Sequence, residues 1–343
     1  MTYLDHLPEH VAHLVRTRYF CEFATVSKAG MPINTPLVPF TSEDLETIDS
    51  ATGLAYPVKA ERARRNPKVG LLFEGGPDEP VVSMSGMAAV RDRDFQANLE
   101  RYLSEQIMTG FLDPDVIDYE SVTRKAIWYF TRILVCVKPA VVRWWDSPAA
   151  MNEPPQEWRA PDGTDFPQSD PPPSGGGSKA PWQEGRSWRE LAQIALAREA
   201  PAHLTLVDSE GYPLPIRARE VDADEGGFRL VMPAWLPWSG GKASVSFEGI
   251  EIFLGEANIE GDVALVRVER SLPVHPLMAD PAEILNPKPE TRDALMQRIE
   301  YELGRRGLPL PKMPDHAPEP TAGARYRAEA AFAFQGFSGA EAD

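Results

Sequence analysis

Five basic side chains, Lys59, Arg62, Arg64, Arg65 and Lys68, fall within ten positions of a chain whose formal charge is −16. Just upstream, Ser50-Ala51-Thr52-Gly53 ends a β-rich run in hydroxyls and a glycine. Pro57 then opens a helix that runs to Arg65. Proline suits that opening position because its missing N–H costs nothing there, and Asn66-Pro67 ends the helix because a residue before proline avoids the helical region. Lys59 and Arg62 are three apart and share a face. Free N–H groups and the positive end of a helix favour an anion beside them. A solvated basic helix would give the same pattern. In so acidic a chain, however, a local basic cluster calls for a local partner, either a bound phosphate or a salt-bridge network. Each charge-assisted hydrogen bond to a phosphate contributes on the order of 1.5–3 kcal/mol.

The remaining candidates for chemistry are weaker. His6, His10 and His13 recur at i, i+4 and i+7 beside Glu9, a spacing that can hold zinc, but surface histidines on a helix are commoner and no metal site is expected. A haem ligand drawn from these, or from His203, ranks lower still. Asp113, Asp115 and Asp118 around Pro114 read as solvated charge. Cys21 and Cys136 sit in apolar, strand-like runs and read as small buried hydrophobes. The run Gly175-Gly176-Gly177-Ser178-Lys179 neither follows a strand nor opens a helix, so it is not a phosphate loop. No serine–histidine–aspartate arrangement is legible, and no catalytic residue is assigned.

The elements that must position the lysine helix are mostly strands. A helix over 3–18 is followed by β-rich runs at 20–26 and 33–40 around a turn at Gly30, then 45–50, the lysine helix, 69–73 and 81–90. A helix carrying Phe95, Leu99 and Leu103 precedes a last strand at 133–145, interrupted by Lys138-Pro139. A proline- and glycine-rich stretch follows, and then a similar order returns: a helix at 187–199, strands at 203–208, 212–219, 228–232, 243–247, 250–259 and 263–268, and a closing helix at 290–306. Gly30-Met31-Pro32 is answered by Gly211-Tyr212-Pro213. Leu72-Phe73-Glu74-Gly75 is answered by Ser246-Phe247-Glu248-Gly249, and Gly86-Met87-Ala88-Ala89-Val90 by Gly255-Glu256-Ala257-Asn258-Ile259. The order signals an internal repeat. The expected division is 1–146, a linker over 147–181 too polar to bury a core, a second unit over 182–308 and a loosely ordered tail over 309–343. The acidic charge argues against nucleic acid and anionic membrane as partners. No run approaches the ~20 apolar residues of a membrane span. With two cysteines and no apolar leader, the expected compartment is the cytoplasm.

Lys59-Ala60 through Asn66-Pro67 and Val69, followed by Leu71-Leu72-Phe73, resembles the signature of the pyridoxamine 5′-phosphate oxidase-like, FMN-binding split β-barrel proteins. Phe23-Ala24-Thr25-Val26 with Gly30-Met31-Pro32 looks like that family's first hairpin, and Gly86-Met87-Ala88 with Val90 like its later strand. The resemblance covers about 20–145 well and 200–270 faintly. It implies a mainly β fold with flanking helices, in two tandem split β-barrels, the second degenerate and without the lysine helix. It implies FMN at a barrel–barrel interface, with Lys59 on the phosphate, Ser50 and Thr52 adding hydroxyls, Arg62 or Arg65 assisting, and the backbone of Pro36, Leu37 and Val38 along the ring edge. Redox chemistry on a small organic substrate would follow. The deazaflavin coenzyme, and less readily haem, are the alternatives, as is a non-enzymatic sensing role. The chain departs from the vitamin B6 oxidases at Val58, where they carry arginine, in Thr35–Phe40, which lacks their arginine and lysine, and in the ending Val141–Asp146. Pyridoxamine phosphate is therefore not the expected substrate. The two barrels are expected to pair within the chain or across a homodimer, with Trp235 and Trp238 considered as walls of the ring site.

Overall fold

The computed structural model describes residues 2–106, 126–177, 187–273 and 288–338. Two antiparallel sheets dominate it. The first contains β1 (Cys21–Val26), β2 (Pro32–Leu37), β3 (Pro39–Thr41), β4 (Ile48–Gly53), β5 (Lys68–Glu74), β6 (Val81–Arg91) and β7 (Arg132–Trp145), in the order β2-β1-β5-β6-β7-β4-β3, with β8 (Gln156–Arg159) added to β7. The second contains β9 (Ala202–Val207), β10 (Pro213–Arg217), β11 (Glu220–Ala223), β12 (Gly227–Val231), β13 (Gly240–Phe247), β14 (Glu251–Glu260) and β15 (Val263–Ser271), in the order β10-β9-β13-β14-β15-β12-β11. Strand for strand, the two orders are the same. The fold is two tandem split β-barrels with flanking helices.

The repeat extends to register. Val26 pairs with Pro32 as Val207 pairs with Pro213, and both hairpins turn through a left-handed glycine, Gly30 and Gly211. Leu72 lies opposite Glu22, and Ser246 opposite His203. The register slips between Ser85 and Gly86 in β6 and between Leu254 and Gly255 in β14. A side chain has no room at either glycine: a Cβ on Gly86 would stand 2.9 Å from Lys138 O and one on Gly255 2.0 Å from Arg267 O. The bulge also explains how Pro139 is accommodated opposite Gly86 within β7, which runs unbroken from Arg132 to Trp145.

Helices α1 (Glu9–Thr17), α2 (Val58–Arg65), α3 (Phe95–Gln106), α4 (Ile127–Phe130), α5 (Trp188–Ala197), α6 (Pro289–Arg306) and α7 (Ala322–Ser338) surround the sheets. The expected helix at 3–18 is divided, because Pro8 separates a 3-10 turn (Tyr3–His6) from α1. Among the described helices, α5 alone belongs to the second barrel's core, through Leu191, Ala192 and Ala195. The closing helix α6, grouped by sequence with the second unit, instead packs Leu295, Ile299 and Leu303 into the core of the first. The tail, expected to be loosely ordered, holds α7, which touches α1 and α3 and buries Arg327 in an ion pair with Glu105 at 2.7 Å. The proline-rich segment lies along the first barrel: Gln156–Arg159 form β8, and Asp170 N donates to Val90 O at 2.9 Å.

The barrels meet through corresponding elements. β2 touches β13 as β10 touches β5, β1 touches β10 as β9 touches β2, and β6 touches β10 as β14 touches β2. The backbones approach closely there: a Cβ on Gly70 would stand 1.9 Å from Pro213 O, and one on Gly249 2.9 Å from Pro36 N.

Candidate cofactor phosphate site

Helix α2 lies on the first barrel through Ala60 and Ala63, both buried in its core. Its basic side chains therefore emerge along its flanks and, with Lys68 at the start of β5, divide into two groups. Three run along the first hairpin. Lys59 Nζ donates to Pro36 O at 2.8 Å, Arg62 Nε to Thr25 Oγ1 at 2.8 Å and Arg65 Nη2 to Val26 O at 3.2 Å. The other two hold the architecture together: Arg64 pairs with buried Asp92 at 2.7 Å, and Lys68 donates to Glu210 O of the second barrel.

The end of β4 supplies the hydroxyls. Ser50 and Thr52 alternate onto the same face as Ile48. Ser50 Oγ is buried without a hydrogen-bond partner among the described residues, while Thr52 Oγ1 donates to Tyr56 O at 3.4 Å. Of the residues expected along a ring edge, Pro36 already has neighbours in the Lys59 ammonium and the Gly249 turn, Leu37 is buried in the core and Val38 is half-buried.

Two further cations complete the neighbourhood. Arg132 opens β7 directly opposite Gly53, and a Cβ on that glycine would stand 3.6 Å from Arg132 Nη1 and 3.9 Å from Tyr56 Cδ2. The Arg132 guanidinium stacks over Tyr129 at 3.9 Å and Tyr102 at 4.7 Å, and its buried Nε has no hydrogen-bond partner among the described residues. Arg298, carried by α6, stacks over Tyr56 at 4.8 Å and likewise keeps Nε and Nη2 buried without such partners. α6 is held in place by Arg306, which pairs with Asp92 at 2.9 Å. The sequence gives no local sign of either arginine, since each is brought to the lysine helix by a distant strand or helix.

The electrostatics point to an anion. Burial, then Arg62 and Arg132, push the Lys59 ammonium down to about 7. Burial and then Arg65 push Arg62 down to about 10. Cations drawn together in a partly desolvated site repel one another, and among the described residues no carboxylate offsets Lys59 or Arg62. A phosphate supplies the missing charge, and ammonium, guanidinium and hydroxyl donors suit its oxygens. The residues present thus fit a phosphate-bearing cofactor.

The other sequence candidates disperse. His6 stacks on Trp158, His10 bonds Asp146 at 2.9 Å and His13 bonds Tyr326 at 2.9 Å. Among the described residues no group of side chains is arranged to hold a metal ion. Trp235 lies over Arg143 at 5.1 Å and Trp238 is buried in the second core, so both are packing residues. Asp113, Asp115 and Asp118 lie outside the described residues. A polar cavity of about 210 Å³ sits elsewhere, between Met151 and the arginines Arg217 and Arg219. No helix among the described residues is long and apolar enough to cross a membrane.

No family model and no curated protein matches the chain. Solved structures do. General Stress Protein 26 from Bacillus anthracis str. Sterne is 17% identical, covering 45% of this chain and 99% of its own, with a TM-score of 0.30. A pyridoxamine 5′-phosphate oxidase-related, FMN binding protein from Nostoc punctiforme PCC 73102 is 17% identical over 46% of this chain and 90% of its own, with a TM-score of 0.32. An F420 reductase is 14% identical over 40% and 98%, with a TM-score of 0.27. The strand order and pairing make the fold a split β-barrel, in tandem. Each of these proteins spans less than half of the chain, whose strand order repeats once.

Proposed function

We propose that this split-barrel chain binds a flavin-type cofactor, FMN in the first instance, by its phosphate at Lys59, and uses it in redox chemistry on a small organic substrate. The observation that carries the reading is the half-buried Lys59 ammonium, whose charged neighbours among the described residues, Arg62 and Arg132, are both cations. Lys59 and Arg132 would hold the phosphate, with Ser50 and Thr52 as hydroxyl donors and Arg62 and Arg65 in support. Leu37 and Val38 would flank the ring. The second barrel, which packs its Gly249 turn on Pro36, would serve as the built-in partner that a single barrel lacks.

When bound, the flavin supplies the electron transfer itself. The chain's own contribution is to anchor and orient. Lys59, tied to Pro36 O, links the lysine helix to β2, so a phosphate held by its ammonium is fixed relative to the hairpin. The stacking of Arg132 on two tyrosines fixes its guanidinium plane. No acid or base among these residues is needed for that task.

The test is FMN binding followed by flavin and tryptophan fluorescence. The native chain is expected to bind in the micromolar range, and Lys59→Ala to weaken binding at least tenfold, about 1.4 kcal/mol. A folded native chain that leaves FMN fluorescence unchanged at millimolar concentration overturns the reading.

A further inference from the structure

At the barrel–barrel contact the structure buries charged residues that the cofactor reading does not use. Glu22 and His203 are 1% and 2% exposed, and Glu22 Oε1 lies 2.8 Å from His203 Nδ1. On its other side His203 Nε2 bonds Glu74 Oε2 at 2.7 Å, and Glu74 in turn pairs with Arg217 at 2.9 Å. Ser246 Oγ donates to Glu22 Oε2 at 2.9 Å, and Asn34 Nδ2 donates to the same oxygen. Glu22 belongs to β1 and His203 to β9, on opposite sides of the contact.

Their positions are equivalent. Each is the second residue of its strand, Glu22 after Cys21 and His203 after Ala202. Each lies opposite corresponding partners, Pro36 and Leu72 for Glu22, Arg217 and Ser246 for His203. The elements that touch across the contact are exchanged in the same way, β2 on β13 as β10 on β5. The two barrels are thus related by a pseudo-two-fold axis, and Glu22 and His203 meet beside it. In a true two-fold pair a residue at that place meets its own copy. Two first barrels so paired would set Glu22 against Glu22, with Glu74 nearby on each side and Pro36 in the place of Arg217. Two second barrels would set His203 against His203, with Arg217 beside each and Glu248 in the place of Glu74, so that neither imidazole meets Glu22. The first pairing buries like charges, which is strongly disfavoured; the second forfeits the ion pair with Glu22, because a buried imidazole without that partner sheds its proton.

We propose that the Glu22–His203 contact is a pairing code: it joins the first barrel to the second of the same chain, bars the first barrel from pairing with its own kind and leaves two second barrels without their ion pair. The likeness of the two barrels makes such a device necessary, because surfaces that share an ancestor's self-complementary geometry keep the option of self-pairing unless something repels it. Protonated His203, held between two carboxylates, supplies the attraction in the mixed pair, and Glu22 against Glu22 supplies the repulsion in the like pair of first barrels. The code does not depend on what the lysine helix binds.

The test uses the full chain. The native protein is expected to sediment as a monomer of 38.0 kDa and to unfold in one cooperative transition. His203→Glu sets a carboxylate against Glu22 and Glu74. It is expected to lower the first Tm by roughly 10 °C, to split unfolding into two transitions, and to speed hydrogen exchange in β2 and β10 before other strands. Should that variant not fold, a cycle of Glu22→Gln, His203→Gln and the double variant gives the same information. His203→Gln leaves Glu22 buried without a cation and Glu22→Gln leaves His203 with Glu74 alone, so the double variant is expected to be at least tenfold more stable than the two single effects combined predict. A single unshifted transition in His203→Glu, additive effects in the cycle, or a native dimer that His203→Glu dissociates into monomers would each overturn the proposal.

Discussion

Lys59 carries a proton whose loss is set by its surroundings, and that gives its proposed role a pH signature. Its ammonium is pushed down to about 7 by burial and by Arg62 and Arg132, whereas an arriving phosphate dianion would favour the charged form. Binding therefore takes up a proton above pH 7. The Kd for FMN is expected to rise with pH between about 7 and 9, with a slope of log Kd against pH approaching one. Lys59→Arg, charged throughout that range, should flatten the slope. A native Kd that does not change from pH 6.5 to 9, measured by fluorescence titration, would show that Lys59 does not hold the anion. Arg132 offers a second check at this scale. Arg132→Met keeps an apolar stem between Tyr102 and Tyr129 but removes the donors, so FMN affinity should fall at least tenfold with Tm little changed. Equal loss of affinity and Tm would mark Arg132 as a packing residue only.

At the scale of elements, the close approach of β5 to β10 makes a sharp demand at one position. Gly70 is buried, and a Cβ there would stand 1.9 Å from Pro213 O and 2.6 Å from Pro215 Cδ. Because the obstacle is backbone, Gly70→Ala must push the barrels apart, and a loss of about 2–3 kcal/mol in denaturant unfolding is expected. Gly76→Ala is the control, since its nearest obstacle is the tip of the Glu79 side chain at 3.4 Å. Much of this architecture is legible in the sequence. The turn glycines Gly30 and Gly211 and the bulge glycines Gly86 and Gly255 stand at equivalent places because both barrels need the same backbone there. Lys59, Arg62 and Arg65 are legible because one helix carries them all, and α2 does turn them toward the first hairpin. What is hidden depends on contacts distant in sequence. Arg132 and Arg298 look like ordinary surface cations until β7 and α6 deliver them to Gly53 and Tyr56. α6 and α7 follow the second barrel in the chain, yet they dock on the first, and periodicity says nothing about which face receives a helix. The tail helix was masked by composition. Its neighbouring prolines all precede Thr321, whose hydroxyl accepts from Ala324 N at 3.0 Å and so caps the alanine-rich run behind it.

For the whole molecule, the asymmetry of the tandem sets both stoichiometry and pH response. Between β12 and β13 the second barrel has only residues 232–239 where the first has the lysine helix, so one FMN per chain is expected at saturation rather than two. The contact between the barrels adds an alkaline weakness. Burial alone would push His203 down, but the Glu22 and Glu74 carboxylates outweigh it and raise the imidazolium to about 10. Glu74 is also strongly desolvated, which would raise it, but His203 and Arg217 prevail and hold it below its ordinary value. A histidine raised in the folded state stabilises fully below its unfolded value near 6.5 and loses that contribution as pH climbs to about 10. A lowered carboxylate stabilises above about 4.5 and loses its share as pH falls through its folded value. The two contributions overlap between about pH 4.5 and 6.5, so this contact is strongest in mild acid and fades from neutrality upward. Unfolding free energy should therefore drop by roughly 3–5 kcal/mol between pH 6.5 and 10 through this histidine. His203→Gln, which has no proton to lose, should show a flatter alkaline limb and lower stability at pH 6. Parallel native and His203→Gln profiles across that range, measured by urea unfolding at fixed ionic strength, would mean that the imidazole is buried neutral and that Glu22 is not its ionic partner.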